Sequence, residues 1–301
     1  MPPRKLCADS QANNPFRREQ PAPSPCSGMI QADTHLHTCY SHGASTPAEM
    51  YAAALAKGLA LIGFSEHSPR PEGYNYTHEY RERLARCLPL YIREVEALKK
   101  RNEGLKVLLG LEMDWLDGEE TFIRASISAN DYDYVIGSVH FLGSWGFDDG
   151  PEAWRGISQA ECENRYGQYF HTWQKMLKSG LFQIAAHPDL IKIFSIGQFR
   201  IWIQKPEALA LVRNCLLSLR DAGMAMEVSS AGLRKACQEI YPCPQIMTLA
   251  ASLGIPVSLA SDAHCVRDIG ADFDQLASYA ASFGYREQTV FDRGMKLSLP
   301  F

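Results

Sequence analysis

The sequence predicts an α/β protein whose core is a (β/α) barrel of seven parallel strands. Strand-like and helix-like stretches alternate seven times after residue 28, and such alternation is typical of a parallel sheet covered by helices. Most of the strand-like stretches end in a histidine or a carboxylate. In a closed barrel the carboxyl ends of all strands share one rim, whereas an open doubly wound sheet would scatter some of these residues to its edges. We therefore favour the closed barrel.

The composition is that of a globular protein with a large buried core. Of the 301 residues, 46% are hydrophobic and 21% are charged, and the formal net charge is −4, which argues against a nucleic-acid-binding surface. No apolar run reaches the roughly 18 to 20 residues that a membrane-spanning helix needs. The nine cysteines include no C-x-x-C pair. A disulfide framework is therefore not expected, and a reducing cytoplasm is the predicted location.

The first 28 residues differ in composition from the rest of the chain. They are rich in Pro, Asn, Gln, Ser and Arg, show no apolar periodicity and lack the apolar segment of a signal peptide. We expect residues 1–28 to be a disordered leader. Residues 29–301 are expected to form a single barrel domain.

The first half of the barrel is delimited by helix-capping residues and glycines. The first strand is predicted over residues 29–32. Thr46, Pro47 and Glu49 then match a capping box with proline at the first helical position, and Gly58 ends that helix. The next elements follow in order: a strand over residues 59–64, a charged helix over 77–102 and a strand over 106–111.

The second half repeats the same alternation of apolar runs and helical stretches. Strands are predicted over residues 134–139, 182–186, 224–228 and 256–260. The helices between and after them are predicted over residues 159–178, 206–221, 244–253 and 268–283, two of which begin with a proline. These seven strands and six helices are interpreted as seven strand-then-helix units, with no helix assigned after the third strand.

The strand ends carry the candidate metal ligands. His35 and His37 lie two residues apart, so both would project from one face of a strand end and could chelate a divalent cation. Taken singly, His140 could be a hydrogen-bonded core histidine and Asp262 a helix N-cap. Such an explanation would need most strands to end in potential ligands by accident. The candidate metal ligands are His35, His37, His42, His67, Glu112, His140, His187, Asp262 and His264.

This ligand set indicates which metals the site would bind. Imidazoles and carboxylates without thiolates suit zinc, our first choice, and also manganese or iron. Nine candidates exceed what one ion can use. We therefore expect two or three divalent ions, with a carboxylate bridging between them.

Six segments resemble, in order, the motifs of the PHP (polymerase and histidinol phosphatase) superfamily. They read DTHLH (33–37), SEH (65–67), GLE (110–112), SVH (138–140), AHPD (186–189) and SDAH (261–264). More narrowly, the chain resembles the histidinol-phosphatase subgroup in YSHG (40–43), EHSP (66–69), IGSVHF (136–141) with WGFD (145–148), and EVSSAGLRK (227–235). The resemblance extends from residue 29 to about residue 284.

The resemblance implies a distorted, TIM-like (β/α)7 barrel with a trinuclear metal centre. By similarity, His35, His37, Glu112 and Asp262 would hold the first ion. Glu112, as a bridge, would hold the second ion with His140 and His187. The third ion would be held by His42, His67 and His264, of which His42 lies in a loop whose spacing varies among relatives.

The resemblance also implies the reaction, which is hydrolysis of L-histidinol phosphate in histidine biosynthesis by a metal-activated hydroxide. Asp189, two residues after His187, is a candidate general acid, with an orienting carboxylate as the alternative. Arg234 could bind phosphate or be a solvated loop residue. Glu227 could accept from the substrate ammonium or pair with a local lysine. The loop of residues 141–147, with Trp145, could flank the imidazole ring.

Three other functions remain open at this point. A PHP phosphoesterase acting on nucleotides or other phosphomonoesters would use the same metal site. A metal-dependent amidohydrolase also begins with H-x-H, but it would need a carbamylated lysine at a strand end, and none is found there. A non-catalytic, metal-stabilised barrel would not need every ligand type. In each catalytic case the expected partner is a small molecule, and the sequence does not indicate an oligomeric state.

Overall fold

The computed structural model describes residues 29–74 and 76–301. The predicted leader, residues 1–28, lies outside them. The strands are β1 Ala32–Asp33, β2 Leu61–Phe64, β3 Lys106–Asp114, β4 Tyr134–Ser138, β5 Phe141–Leu142, β6 Trp145–Gly146, β7 Ile184–Ala185, β8 Ala225–Ser229, β9 Val257–Ala260, β10 Glu287–Asp292 and β11 Met295–Pro300. The helices are α1 Pro47–Ala56, α2 His78–Lys99, α3 Glu120–Ser128, α4 Gln159–Lys178, α5 Ile196–Trp202, α6 Pro206–Asp221, α7 Pro244–Ser252 and α8 Phe273–Ser282.

Seven strands form one parallel sheet in the order β1-β2-β3-β4-β7-β8-β9. Beyond the ends of β1 and β9 the sheet closes on itself, because the His37 amide donates to the Ala263 carbonyl (2.8 Å) and the Ala263 amide donates to the His35 carbonyl (3.2 Å). The buried Asp33 carboxylate adds to this closure by accepting from the amide and hydroxyl of Ser261. The distorted seven-stranded α/β barrel predicted from the sequence is therefore confirmed.

Small and large side chains alternate inside the barrel. Tyr134 crosses the interior and donates to the Thr34 carbonyl at 2.7 Å. Gly63 and Gly110 flank its ring, where an added Cβ would lie 2.2 Å and 2.4 Å from Tyr134 atoms. Strands β2 and β3 therefore need glycine at these positions to let the ring fit. The interior cluster consists of Ala32, Leu61, Leu108, Tyr134, Ile136, Ile184, Ala186 and Ala225, with Val290 and Phe291.

The hairpin of β10 and β11 packs at the amino end of the barrel, opposite the rim that carries the candidate ligands. Lys106, the first residue of β3, pairs with Asp292 at 2.5 Å, and the Gly294 amide donates to the carbonyl of Asp133, just before β4. This hairpin was not predicted from the sequence.

Local sequence explains where several helices begin. At α1, Thr46 and Glu49 form the predicted capping box, with Pro47 in the first turn. The bounds of α4 and α6 match the prediction residue for residue. Two shorter helices, α3 and α5, were not predicted. No described helix is both long and apolar enough to cross a membrane, and the seven cysteines of the described ranges are free thiols.

Candidate metal centre

The structure brings all nine predicted metal ligands together at the carboxyl rim of the barrel. The imidazole rings form a continuous cluster, in which neighbouring centroids lie 4.3 to 5.9 Å apart. Two members have an unusual backbone, with φ of 20° at His187 and 49° at Asp262. Left-handed conformations of non-glycine residues cost free energy and concentrate at functional sites. The strand ends are thus held in strained turns at the cluster.

The first group of ligand atoms has the dimensions of a metal site. The Nε2 atoms of His35 and His37 lie 3.1 Å apart. Oε2 of Glu112 lies 3.4 Å from the first and 3.3 Å from the second. Oδ1 of Asp262 lies 3.7 Å and 3.3 Å from the same two nitrogens. Tetrahedral ligands at about 2.0–2.1 Å from zinc would be separated by roughly 3.3 Å. The atoms of His35, His37 and Glu112 therefore suit one ion, and Asp262 lies beside the two histidines.

The second group uses the other oxygen of Glu112. Oε1 of Glu112 lies 3.1 Å from Nε2 of His187 and 3.6 Å from Nε2 of His140. The two carboxylate oxygens therefore face different histidine pairs. A carboxylate placed in this way can bridge two cations.

The third group is looser. The nitrogens of His37, His67 and His264 lie within 4.8 Å of one another, and His42 stacks on His67 with centroids 5.0 Å apart. Nδ1 of His42 faces the Tyr80 hydroxyl at 3.1 Å. His42 thus belongs to the cluster, but it is not part of the tight group that contains His67 and His264.

Several buried polar atoms of this cluster lack a hydrogen-bond partner within the described ranges. They are Nδ1 of His37 and His187, Nε2 of His264 and Oε2 of Glu66. Nδ1 of His67 and Oε2 of Glu112 face each other at 2.9 Å. An unpaired buried polar atom costs about 1–3 kcal/mol, so a concentration of them at one rim is unfavourable unless a ligand completes the site. The donor set and its unpaired atoms therefore fit bound divalent cations.

The pKa shifts in the cluster also indicate that its buried carboxylates require positive charge nearby. Burial lowers the pKa of His37 and His140, but the surrounding carboxylates outweigh it and raise these pKa values to about 10 and about 9. Burial raises the pKa of Glu112 and Asp262, but the neighbouring histidines hold both well below the usual range. In the absence of metal, protons on His37 and His140 balance the charge of the two carboxylates.

The pKa values of His42, His67 and His264 are shifted in the opposite direction from those of His37 and His140. Burial, together with the charge of neighbouring histidines, lowers the pKa of His67 to about 4 and that of His264 to about 3. The pKa of His42 falls further still for the same reasons. These imidazoles are neutral at physiological pH, which is the form that binds a metal.

Two carboxylates orient ligand histidines from behind. Oε2 of Glu227 lies 2.6 Å from Nδ1 of His35, and Oδ1 of Asp114 lies 2.6 Å from Nδ1 of His140. Such contacts fix the tautomer, so that the other ring nitrogen can bind metal. Asp114 was missed because the predicted strand ended at residue 111. The strand continues to Asp114, which lies two residues after Glu112 and therefore on the same face.

Asp189, the candidate general acid, lies apart from the cavity at the rim. Its side chain is fully buried, and Oδ2 accepts from the Cys243 amide at 2.8 Å and pairs with the Lys192 ammonium at 2.9 Å. Asp189 does not line the cavity at the rim. Its carboxylate joins the turn after His187 to the loop before α7.

Glu227, Arg234 and Trp145, the predicted substrate contacts, also lie outside the cavity lining. Glu227 is 1% exposed, within β8, and its carboxylate is engaged by His35 and the His187 amide. Arg234 donates to the Ser261 carbonyl and to Asp272. Trp145 packs on Trp154 with ring centroids 5.5 Å apart. None of the three lines the cavity.

The cavity beside the ligand cluster has a volume of about 400 Å³. Seven of the candidate ligands contribute to its lining, and Lys235 stands next to Asp262 and His264, whose pKa values its charge lowers. The remaining lining residues are Tyr76, Thr77, Tyr80, Asp148, Asp149, Leu190, Ile193 and Tyr241. Arg234 was predicted from the sequence as a phosphate ligand, whereas the adjacent Lys235 was not.

Comparison with known proteins identifies the family. The PHP domain description matches residues 33–231. The chain belongs to the PHP domain family. This confirms the resemblance inferred from the six ordered motifs. A relative in Deinococcus radiodurans, named "Probable histidinol-phosphatase", is 36% identical over 266 residues, which cover 88% of this chain and 98% of that protein.

One further relative and one solved structure are similar to the chain over most of its length. The histidinol-phosphatase of Bacillus subtilis is 28% identical over 264 residues, covering 82% of this chain and 98% of that protein. The histidinol phosphate phosphatase of Lactococcus lactis, solved with zinc, L-histidinol and phosphate, superposes with a TM-score of 0.71. It is 19% identical, and the match covers 90% of this chain and all of that one, which supports the barrel fold.

Proposed function

We propose that this PHP protein is a histidinol-phosphatase that hydrolyses L-histidinol phosphate to L-histidinol and phosphate in the cytoplasm. The proposal depends mainly on the position of Glu112 beside the cavity. One of its oxygens faces the His35–His37 pair, and the other faces the His140–His187 pair. The similarity to proteins named histidinol-phosphatase along nearly their whole length supports the choice of substrate.

We infer that the rim holds two or three divalent ions, with zinc as the first choice. His35, His37, Glu112 and Asp262 would hold one ion, and Glu112, His140 and His187 a second. A third would be held by His67 and His264, with His42 as a further candidate. When bound, such ions supply Lewis acidity towards phosphoryl oxygens and lower the pKa of water enough to give a nucleophile near neutral pH.

The charges around the cavity suit a substrate with a negative and a positive end. Lys235 lines the side next to Asp262 and His264 and makes no side-chain hydrogen bond or ion pair among the described residues. We assign it to the phosphate. Asp148 and Asp149 also line the cavity, and the hydroxyl of Tyr76 donates to Asp148 at 2.7 Å. We assign these carboxylates to the substrate ammonium.

Aromatic rings supply a wall for an imidazole. Tyr76, Tyr80 and Tyr241 line the cavity with Leu190 and Ile193. Burial raises the pKa of all three tyrosines, so they stay neutral and present uncharged rings and hydroxyls to the substrate. A flat heteroaromatic group can stack on such a wall while its polar atoms meet the hydroxyls.

Phosphate release from L-histidinol phosphate by the purified full chain tests the proposal. The zinc-loaded protein should hydrolyse this ester, and chelator treatment should abolish the activity until metal is returned. Hydrolysis of nucleotides with L-histidinol phosphate left intact would instead favour the other PHP phosphoesterases. No turnover of any phosphomonoester with metal bound would indicate a non-catalytic barrel.

A further inference from the structure

Arg70 is an almost fully buried arginine, 4% exposed, three residues after His67. It is not among the residues that line the cavity. We propose that Arg70 is a positioning residue that holds both the His140 ligand and the tyrosine wall of the cavity in place. The proposal rests on the proposed metal site, and it adds a residue that the ligand motifs do not contain.

Arg70 acts on His140 through Asp114. The guanidinium Nε donates to Oδ2 of Asp114 at 2.5 Å, and the other oxygen of Asp114 lies 2.6 Å from Nδ1 of His140. Because the arginine satisfies one oxygen, Asp114 stays ionised in a fully buried position and accepts from His140 with the other. This keeps the proton of a neutral His140 on Nδ1 and leaves Nε2, 3.6 Å from Oε1 of Glu112, free to bind metal.

Arg70 acts on the cavity wall through its flat face. Its central carbon lies 4.9 Å from the ring centroid of Tyr76, 5.6 Å from that of Tyr80 and 5.0 Å from that of Phe141. These distances are within the range of cation–π contacts. Tyr76 in turn donates to Asp148, and the Tyr80 hydroxyl lies 3.1 Å from His42. One side chain therefore supports a ligand histidine and two lining tyrosines at once.

Lysine cannot perform both tasks, although it keeps the charge. The guanidinium is planar and presents several donors in a fixed fork, whereas an ammonium is a compact point charge on a flexible stem. Arg70→Lys can pair with Asp114 but cannot also fill the space between three rings. Arg70→Met removes the charge while keeping an unbranched apolar stem.

Metal retention in the presence of a competing chelator is the first measurement, because it does not depend on which phosphomonoester is the substrate. Loss of a partner behind a ligand histidine typically costs 10- to 100-fold in metal affinity, and we expect about that loss for Arg70→Met. Arg70→Lys should retain metal better than Arg70→Met. Both variants should show an altered near-ultraviolet circular dichroism spectrum and a KM raised more than kcat is lowered.

Arg165 provides a matched control. It also lies over two aromatic rings, 4.5 Å from the centroid of Trp145 and 5.3 Å from that of Trp154, but it does not contact Asp114 or the lining tyrosines. Arg165→Met should leave metal retention and KM at wild-type values. If Arg70→Met fails to fold, metal retention and KM of Arg70→Lys test the proposal instead. Wild-type metal retention and KM in a folded Arg70 variant, with only the melting temperature lowered, would overturn the proposal.

Discussion

Nδ1 of His35 lies 2.6 Å from Oε2 of Glu227, while Nε2 of the same ring faces Glu112 and Asp262. Glu227 is 1% exposed and also accepts from the His187 amide at 3.2 Å. It therefore fixes two candidate ligands from inside the barrel. This arrangement changes what a substitution of Glu227 should do.

Glu227→Gln should lower kcat/KM for L-histidinol phosphate and for a simple aryl phosphate by similar factors, about 10- to 100-fold. The amide keeps the shape but cannot stabilise the proton on His35 Nδ1 as a carboxylate does. Steady-state kinetics on both esters measures this, with the exposed Glu207→Gln on α6 as the matched control. A selective loss on L-histidinol phosphate would return Glu227 to the substrate-binding role that the sequence predicted.

Glu112→Gln should reduce activity by orders of magnitude while the fold survives. Only a carboxylate can offer a charged oxygen to both histidine pairs, and the amide nitrogen would face one pair as a donor. We expect bound metal, measured by plasma emission, to fall by at least one ion per chain relative to wild type. A variant with normal turnover and metal content would show that the bridge lies elsewhere.

Metal binding should release protons near neutral pH. The metal-free protein holds protons on His37 and His140, because their pKa values are raised to about 10 and about 9. An ion must displace these protons, so its apparent affinity should increase as the pH rises towards those values and weaken as the pH falls. Calorimetric titrations in buffers of different ionisation enthalpy measure the release. Identical binding enthalpies in all buffers would argue against it.

Lys235→Met should raise KM for L-histidinol phosphate about 10-fold or more, because the phosphate loses a charged partner worth roughly 1.5–3 kcal/mol. Arg234→Met should mainly lower the melting temperature, since Arg234 is held by Ser261, Ser230 and Asp272. Lys296→Met on the exposed β11 is the charge-matched control. A larger increase in KM for Arg234→Met than for Lys235→Met would favour Arg234 as the phosphate ligand, as predicted from the sequence.

The barrel and the meeting of the nine candidate ligands were predictable because both follow from local patterns. Alternating strands and helices determine a parallel sheet, and the carboxyl ends of its strands then meet at one rim. The bounds of α4 and α6 were predictable for the same reason, since capping serine or proline and apolar periodicity are local signals.

The orientation of buried carboxylates was not predictable, because it depends on contacts distant along the chain. Glu227 meets His35 across 192 residues, and Asp189 meets the Cys243 amide across 54. The end of strand β3 was predicted wrongly for the same reason. Asp114 belongs to β3 because it pairs with Ser138 of β4, and nothing near residue 114 in the sequence signals that pairing.

The substrate assignment is tested most directly by a ratio of kcat/KM values measured with the metal-loaded protein. The ratio compares L-histidinol phosphate with nucleotides and sugar phosphates. We expect L-histidinol phosphate to be preferred by at least about two orders of magnitude, roughly 3 kcal/mol of transition-state discrimination. An equal or greater kcat/KM for a nucleotide would contradict the assignment and make the protein a different PHP phosphoesterase.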